Sequence, residues 1–405
     1  MRNLALYGNE GTILKRYMKD KYFRVAKDIS RWKINSPIEN FLAGKADNSY
    51  FWKKLYIQYY KFFDRKYYDK GCEFIKKEIE RQRPNFDNFS NLSDEWLKID
   101  MLYSLHRFGI TFADYFIYRF YDLNFYGRQK YNNLRLQYGY CEQFNNKNIR
   151  EICDNKSKTY DLLKDFYKRE VVLVNHPCQD ISVFKNRMCQ TQHSNENIVF
   201  KPLNGNSGKD IRFIPTSLLD TEFIRNNLEK YGPFILEEVI EQDVTLGRLY
   251  PHSINTIRVA TVRIGKEVNF LGTAIRMGRG NSRVDNAGSG GMYAGIDIDS
   301  GIIISKGMDY ECNEFIQHPD TKVIIPGFSI PQWNELLSTV REVATALDGA
   351  VLIAWDFALS KRGWCLVEAN DVGGQTVLQA PFHRGINPIL YAFFDKINDN
   401  KTNNQ

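Results

Sequence analysis

The residue types best suited to chemistry converge in the segment IAWDFALSKRGWCLVEAN, which reads as two strands joined by a tight turn at Lys361 to Gly363. Glu368 and Asn370 are two residues apart on the second strand, so the strand period of two puts both side chains on one face. With a three-residue loop, Ser360 pairs with Trp364 and Asp356 falls opposite Glu368. Three oxygen-bearing side chains then meet, a set that suits Mg²⁺, which prefers octahedral oxygen ligation and keeps positions for phosphate oxygens and water. A two-residue loop without a bulge would send Asp356 to the opposite face. The alternative is an exposed polar hairpin. Ile353, Ala354, Trp355, Leu366 and Val367 weaken it, because they mark buried strands in which a carboxylate needs a cation or hydrogen-bond donors.

Other chemistry is spread upstream. In NIVFKPLNGNSGKDIRFI, Lys201 ends a strand and Gly205, Asn206, Ser207 and Gly208 form a loop whose backbone N–H groups can approach an anion. Lys209 is followed by Asp210, and a strand follows rather than a helix, so this is not a Walker A loop; a plain hairpin turn explains it as well. PFILEEVIEQ is an apolar strand that runs into Glu237 and Glu238, either solvent-exposed carboxylates or a hinge reading an adenine edge. Arg258 and Arg276, carried on strands, would offset phosphate charge and steady an oxyanion if they point into a site; a surface salt bridge is the alternative for either one.

These groups need rigid elements. From about residue 50 to 145 apolar residues recur at three- and four-residue steps, which predicts helices, one of them starting at Ser93 and ending near Gly109. His106 lies there without a partner at ligand spacing and takes no role. After a loop near residue 146, a short helix over Lys158–Arg169 precedes strands in NIVFKP, DIRFIP, PFILEEV, TIRVATVRI, VNFLGTAIRM, VLIAWDFAL and GWCLVEAN, with a helix around Pro331–Leu347. The expected class is α+β with antiparallel sheets. The expected division is a mainly helical region over 1–147, subdomains over 148–240 and 241–395, and a disordered tail over 396–405.

With 405 residues, the chain exceeds one hydrophobic core, and 43% hydrophobic with 25% charged residues is globular composition. The seven cysteines are scattered without a CxxC pair, so reduced thiols are expected rather than disulfides or zinc. An N-terminus without an apolar h-region, and no stretch near 20 apolar residues, lead to the expectation of a cytoplasmic protein, at most peripheral at the inner face of the membrane. Net charge is +7, and YFWKKLYIQYYKFFDRKYYDK interleaves cations with aromatics. Amphipathic helices with a solvated basic face account for that pattern, so no nucleic-acid partner is expected; a basic face resting on acidic headgroups or an anionic substrate is an intermediate option.

In their order, Lys201 with its glycine loop, Glu237–Glu238, Arg258, Arg276, Asn286 with Gly290–Gly291, and Asp356, Glu368 and Asn370 resemble an ATP-grasp domain. NTIRVAT, VDNAGSGG, GIDIDSG, HPDT, IPQW, AWDFAL and LVEAN resemble, more narrowly, the sugar-transfer associated ATP-grasp family of polysaccharide and capsule biosynthesis. YSLHRFGITFADYFIYRFYDL is similar to that family's N-terminal part, so the resemblance covers roughly residues 95 to 390 and leaves 1–90 unexplained. It implies two α+β subdomains clasping ATP, with Lys156 and Lys201 on the phosphates, Gly205, Ser207 and Gly208 in the loop over them, Glu237, Glu238 and the backbone of Val239 at the adenine, and Asp243 at the ribose. It further implies Arg258 and Arg276 at the phosphates and acyl-phosphate, and Asp356, Glu368 and Asn370 on one or two Mg²⁺ ions.

The activity so implied is an ADP-forming carboxylate–amine ligase that uses ATP and Mg²⁺. A substrate carboxylate would attack the γ-phosphate and an amine would displace phosphate. The carboxylate would belong to a sugar acid, as a small molecule, nucleotide sugar or glycan, and the amine to an amino acid, with Arg283, Asp285 and Asn286 as acceptor contacts. Rival readings are an ATP-grasp kinase acting on a hydroxyl and a nucleotide-binding scaffold that docks glycan-assembly enzymes through the aromatic helices.

Overall fold

The computed structural model describes residues 37–403 apart from 64, 86–91, 191–196, 204–210 and 372–373. Gly205, Ser207 and Gly208 therefore lie outside the described residues. Two compact units make up the chain: one holds residues up to 140 with 310–314 and those from 374 onward, the other 141–309 and 315–373. Residues 374–395, expected with the C-terminal subdomain, thus belong with the N-terminal unit, and a helix spanning Asn387–Asn403 runs through most of the stretch expected as a disordered tail.

The first unit is helical. Its helix Asp94–Phe108 begins as the sequence predicts: the Trp96 N–H donates to Ser93 Oγ, and Asp94 and Glu95 place negative charge in the first turn. It ends at Gly109, whose positive φ of 69° lets its N–H donate to Leu105 O. Asp100 on its buried side receives Arg128 Nη2 at 2.6 Å, Lys53 Nζ at 2.7 Å and the Tyr115 hydroxyl at 2.6 Å. Burial opposes that charge, and Arg128 followed by Lys53 overcomes it, so the carboxyl titrates below its ordinary value. Gln379 closes the unit: its Oε1 accepts from the N–H groups of Asn132 and Ile386, and its Nε2 donates to the Tyr118 hydroxyl and Asn132 O.

The second unit contains two sheets. Strands β1 (Val171–Val174), β2 (Asn197–Pro202), β3 (Arg212–Pro215) and β4 (Phe234–Glu238) form an antiparallel sheet of order β1-β4-β2-β3. Helices Ser182–Gln190 and Thr221–Tyr231 cover it, burying Phe184 and Ile224 against Ile198, Phe200, Phe234 and Leu236. Strands β5 (Thr256–Ile264), β6 (Glu267–Met277), β7 (Met292–Ile296), β8 (Gly307–Met308), β9 (Glu314–Phe315), β10 (Leu352–Ser360) and β11 (Gly363–Asn370) form a sheet of order β11-β10-β5-β6-β7-β8-β9, antiparallel through β8. Every strand expected from the sequence is present.

One face of the large sheet builds the core. Ile257, Val259, Ile275, Trp355, Phe357 and Leu366 pack with Trp333, Leu336, Val340 and Val343 of the helix Trp333–Ala346. Truncating Trp355 or Phe357 to Ala would cost about 3–5 kcal/mol. Alternation then sends Thr256, Arg258, Arg276 and Asp356 to the other face. The hairpin differs from the expected register. Ser360 pairs with Gly363 across a loop of two residues, and a bulge beyond Phe357 leaves Val367 unpaired, so Asp356 still faces Glu368 and Ala354 faces Asn370.

Candidate functional site

A cavity of about 730 Å³ lies within the second unit. Its inner wall on the small sheet is built by cross-strand placement. Glu237 pairs with Val199 on one side and Val171 on the other, which puts Lys201 and Arg169, each two residues along a neighbouring chain, on its face. Lys201 Nζ donates to Glu237 Oε2 at 2.8 Å and Arg169 Nε donates to the same oxygen at 3.0 Å, while Arg169 Nη2 lies 2.9 Å from it. Burial works against the charge on Glu237, yet Arg169 and then Lys201 outweigh it and hold the carboxyl down at about 2. Burial also lowers Lys201, with Glu237 opposing. Two cations thus share one carboxylate, an excess positive charge that an anion in the cavity would neutralise.

The Glu237 carboxylate, expected at the adenine, lines the cavity with its Oε2 held by these two cations. Glu238 and Val239 line the cavity where β4 ends, and Glu238 accepts from Arg362 Nη2 at 2.6 Å and from the Glu170 N–H. Lys156, at the start of the helix Lys156–Tyr167, also lines the cavity, whereas Lys158 pairs with Glu151. Asp243 lines it too and caps a short helix, accepting from the N–H groups of Thr245 and Leu246. Gln242 pins the segment after the hinge: its Nε2 donates to Tyr250 O and Ser253 O, and its Oε1 accepts from Asn255.

The large sheet supplies the opposite wall. Asp356 pairs with Arg258 on β5 and with Glu368 on β11, and Thr256 pairs with Arg276 on β6, so all five side chains share a face. Arg258 Nε and Nη2 donate to the two oxygens of Asp356, the latter at 2.9 Å, and Arg276 Nη2 donates to Oδ2 at 3.0 Å. Asp356 is wholly buried; burial raises its pKa, but Arg258 and then Arg276 bring it below the ordinary carboxylate value. Arg258, expected at the phosphates, is not among the residues lining the cavity and holds Asp356 from beneath. Arg276 does line it, with Nε and Nη2 donating to Thr256 Oγ1 at 2.9 and 2.8 Å.

Arg283, Asp285 and Asn286 gather at one side of this cavity. The Arg283 guanidinium lies 3.8 Å from the centre of the Phe213 ring on β3. Asp285 accepts from the Thr256 N–H at 3.1 Å and its oxygen is 3.7 Å from Arg276 Nε; Asn286 accepts from the Gly288 N–H. Gly291 lies where a Cβ would sit 2.6 Å from Asp285 O, so the close turn holding these residues requires glycine.

Of the expected metal trio, Glu368 lines the cavity half-buried and has no hydrogen-bond or ion-pair partner among the described residues. A half-buried carboxylate without a donor fits a cation. Asn370 Nδ2 is 3.4 Å from Asp356 Oδ2, so an amide and two carboxylates do stand together. Among the described residues no cluster of three or more His, Cys, Asp or Glu is placed for a metal, so the expected trio has only two carboxylates and the Asn370 amide. Asp356 and Asn370 are not among the residues lining the cavity, and Asp356 already receives Arg258 and Arg276. Sequence reasoning missed Arg169 and Gln242. Arg169 carried a faint signal, a charge two residues ahead of an apolar strand and hence on the face of its site; Gln242 carried none.

The sequence profile of the sugar-transfer associated ATP-grasp family matches residues 135–394. No curated protein matches the sequence. Similar solved structures include an L-amino acid ligase from Bacillus licheniformis, 14% identical over 56% of this chain and 42% of that one, with TM-score 0.32. D-alanyl-alanine synthetase A from Vibrio cholerae is 12% identical over 61% and 66%, with TM-score 0.38. D-alanine–D-alanine ligase from Helicobacter pylori is 15% identical over 61% and 57%, with TM-score 0.33. The chain thus spans between 42% and 66% of the length of these structures.

Proposed function

The chain belongs to the sugar-transfer associated ATP-grasp family, its ATP-grasp fold preceded by a helical region, and on that footing we propose that it is an ATP- and Mg²⁺-dependent carboxylate–amine ligase. The observation that carries this reading is that one cavity is lined both by Lys201, which with Arg169 beneath it shares the Glu237 carboxylate, and by Glu368, which has no hydrogen-bond or ion-pair partner among the described residues. An anion and a cation each find an unmet partner there, which a metal-bound nucleotide provides together.

In the proposed reaction, an oxygen of the substrate carboxylate attacks the γ-phosphorus of ATP and the bond to the β-bridging oxygen breaks, giving an acyl-phosphate and ADP. The amine nitrogen then attacks the acyl carbon, and phosphate leaves as the amide forms and the nitrogen loses its proton. Lys156 and Lys201 hold phosphate oxygens, the Val239 backbone meets the adenine and Asp243 the ribose. Arg276, kept in place by Thr256 and Asp285, faces the oxyanion. Asp356, Glu368 and Asn370 would hold Mg²⁺, which when bound supplies charge neutralisation for the phosphates.

The substrate proposed is a sugar acid in surface polysaccharide assembly, joined to an amino acid, with Arg283 facing the acid and Asp285 and Asn286 its hydroxyls or the amine. Purified protein with Mg·ATP, a pool of uronic-acid sugars and a pool of amino acids tests it by ADP and phosphate release, beside a Glu368→Gln control. Release of both that requires both pools supports the ligase. ADP release without phosphate would replace it with a kinase, and release from neither pool, with nucleotide still bound, would remove the proposed substrate classes.

A further inference from the structure

We propose that Arg169 is a positioning residue that takes over the Glu237 carboxylate when Lys201 turns from it to a bound phosphate; the proposal rests on the nucleotide reading of this site. The hydrogen-bond pattern around Glu237 is lopsided. Oε2 receives Arg169 Nε and Lys201 Nζ and has Arg169 Nη2 at 2.9 Å, while Oε1 has no donor among the described residues. Nη2 itself makes no well-directed hydrogen bond. Nε and Nη2 form one edge of the guanidinium, the edge that binds a carboxylate through two parallel bonds. Rotation of the Glu237 carboxylate would give each nitrogen its own oxygen, and what stands against that rotation is the Lys201 ammonium on Oε2.

The remaining bonds of Arg169 keep its edge aimed. Nη1 donates to Leu366 O at 2.6 Å and to Tyr167 O at 3.2 Å, and the guanidinium stacks 4.6 Å from the Tyr167 ring centre. Leu366 is the last paired residue of β11 before the bulge that turns Glu368 toward Asp356. One side chain therefore touches both the anion-binding lysine's partner on the small sheet and the strand that carries the metal-facing carboxylate on the large one. Without Arg169, Lys201 could leave Glu237 only by abandoning a buried, unpaired carboxylate, a strongly unfavourable exchange. With it, Lys201 moves between two anions and neither is left bare.

The test is a double-mutant cycle on nucleotide affinity, measured by calorimetric titration with ADP in Mg²⁺ for wild type, R169M, E237Q and R169M/E237Q. R169M is expected to weaken ADP binding by at least about tenfold, and E237Q to remove most of that loss, because no carboxylate is then left to neutralise. R169K, which keeps the charge without the two-pronged edge, should recover part of the affinity and also covers the case in which R169M does not fold. Equal losses from R169M in the wild-type and E237Q backgrounds, or full affinity in both R169M and R169K, would overturn the proposal while wild-type binding left the nucleotide reading intact. No binding by folded wild type would overturn both.

Discussion

Asp356 and Glu368 face each other across β10 and β11 although only Lys361 and Arg362 separate the strands. A regular ladder from a two-residue loop would set Val367 opposite Asp356 and turn Glu368 toward the core. The extra residue absorbed by the bulge prevents this, and Asp356 can be bound by Arg258 and Arg276 while Glu368 beside it stays open to the cavity.

Because Glu368 has no hydrogen-bond or ion-pair partner among the described residues, Glu368→Gln should leave the urea midpoint almost unchanged and weaken Mg²⁺-dependent ADP binding by about tenfold or more. Titrations with and without Mg²⁺ check it; equal affinity in the variant at saturating Mg²⁺ would remove Glu368 from the metal set.

Asp356→Asn should behave in the opposite way. It leaves the buried Arg258 and the part-buried Arg276 facing a neutral amide, and loss of one member of a buried pair costs about 3–5 kcal/mol. Urea denaturation reads this directly, and a loss under about 1 kcal/mol would mean the arginines find other acceptors.

Glu237 provides a pH signature. Its folded pKa, about 2, lies below the ordinary 4.5, so its ionised form is favoured by folding. The resulting stability is complete above about pH 4.5 and is lost as pH falls toward 2, since the unfolded chain binds the proton first. Glu237→Gln should therefore show a shallower fall in stability between about pH 5 and 2 than wild type.

The neighbouring glycines Gly290 and Gly291 should respond differently. Gly290→Ala meets open space but must hold φ at 94°, a strain of about 1–2 kcal/mol. Gly291→Ala pushes against Asp285 O, Met277 O and Asn286 O and should cost about 1–3 kcal/mol. Of the two, Gly291→Ala should also move the Arg283 ring contact, visible as a change in aromatic circular dichroism.

Much of this was legible in the sequence, and what was not shares a cause. Strand period placed Glu368 with Asn370, whereas the direction of Arg258, left open by the sequence, is settled by the strands on either side of it. The loop length at Lys361 was misread, since a bulge in one strand and a longer turn give the same partner for Asp356. The sharing of Glu237 by Lys201 and Arg169, and the burial of Arg258 below Asp356, depend on strands distant in the chain lying side by side. Local pattern carries no record of that. Strand existence is set by neighbours in sequence, whereas the owner of each carboxylate is set by neighbours in space.

Gln379 has a consequence for how the protein is made. The helical unit begins first on the ribosome, yet the side chain that satisfies Asn132, Tyr118 and Ile386 is translated after the whole of the second unit. The sheets can therefore close as a self-contained insertion while the helices still wait for their final strand of chain. A polypeptide halted near residue 373 would carry the second unit's sheets and an unfinished helical unit, with the Asn132 N–H and the Tyr118 hydroxyl lacking their Gln379 partner, and cellular proteolysis of such stalled chains should begin in the helical unit.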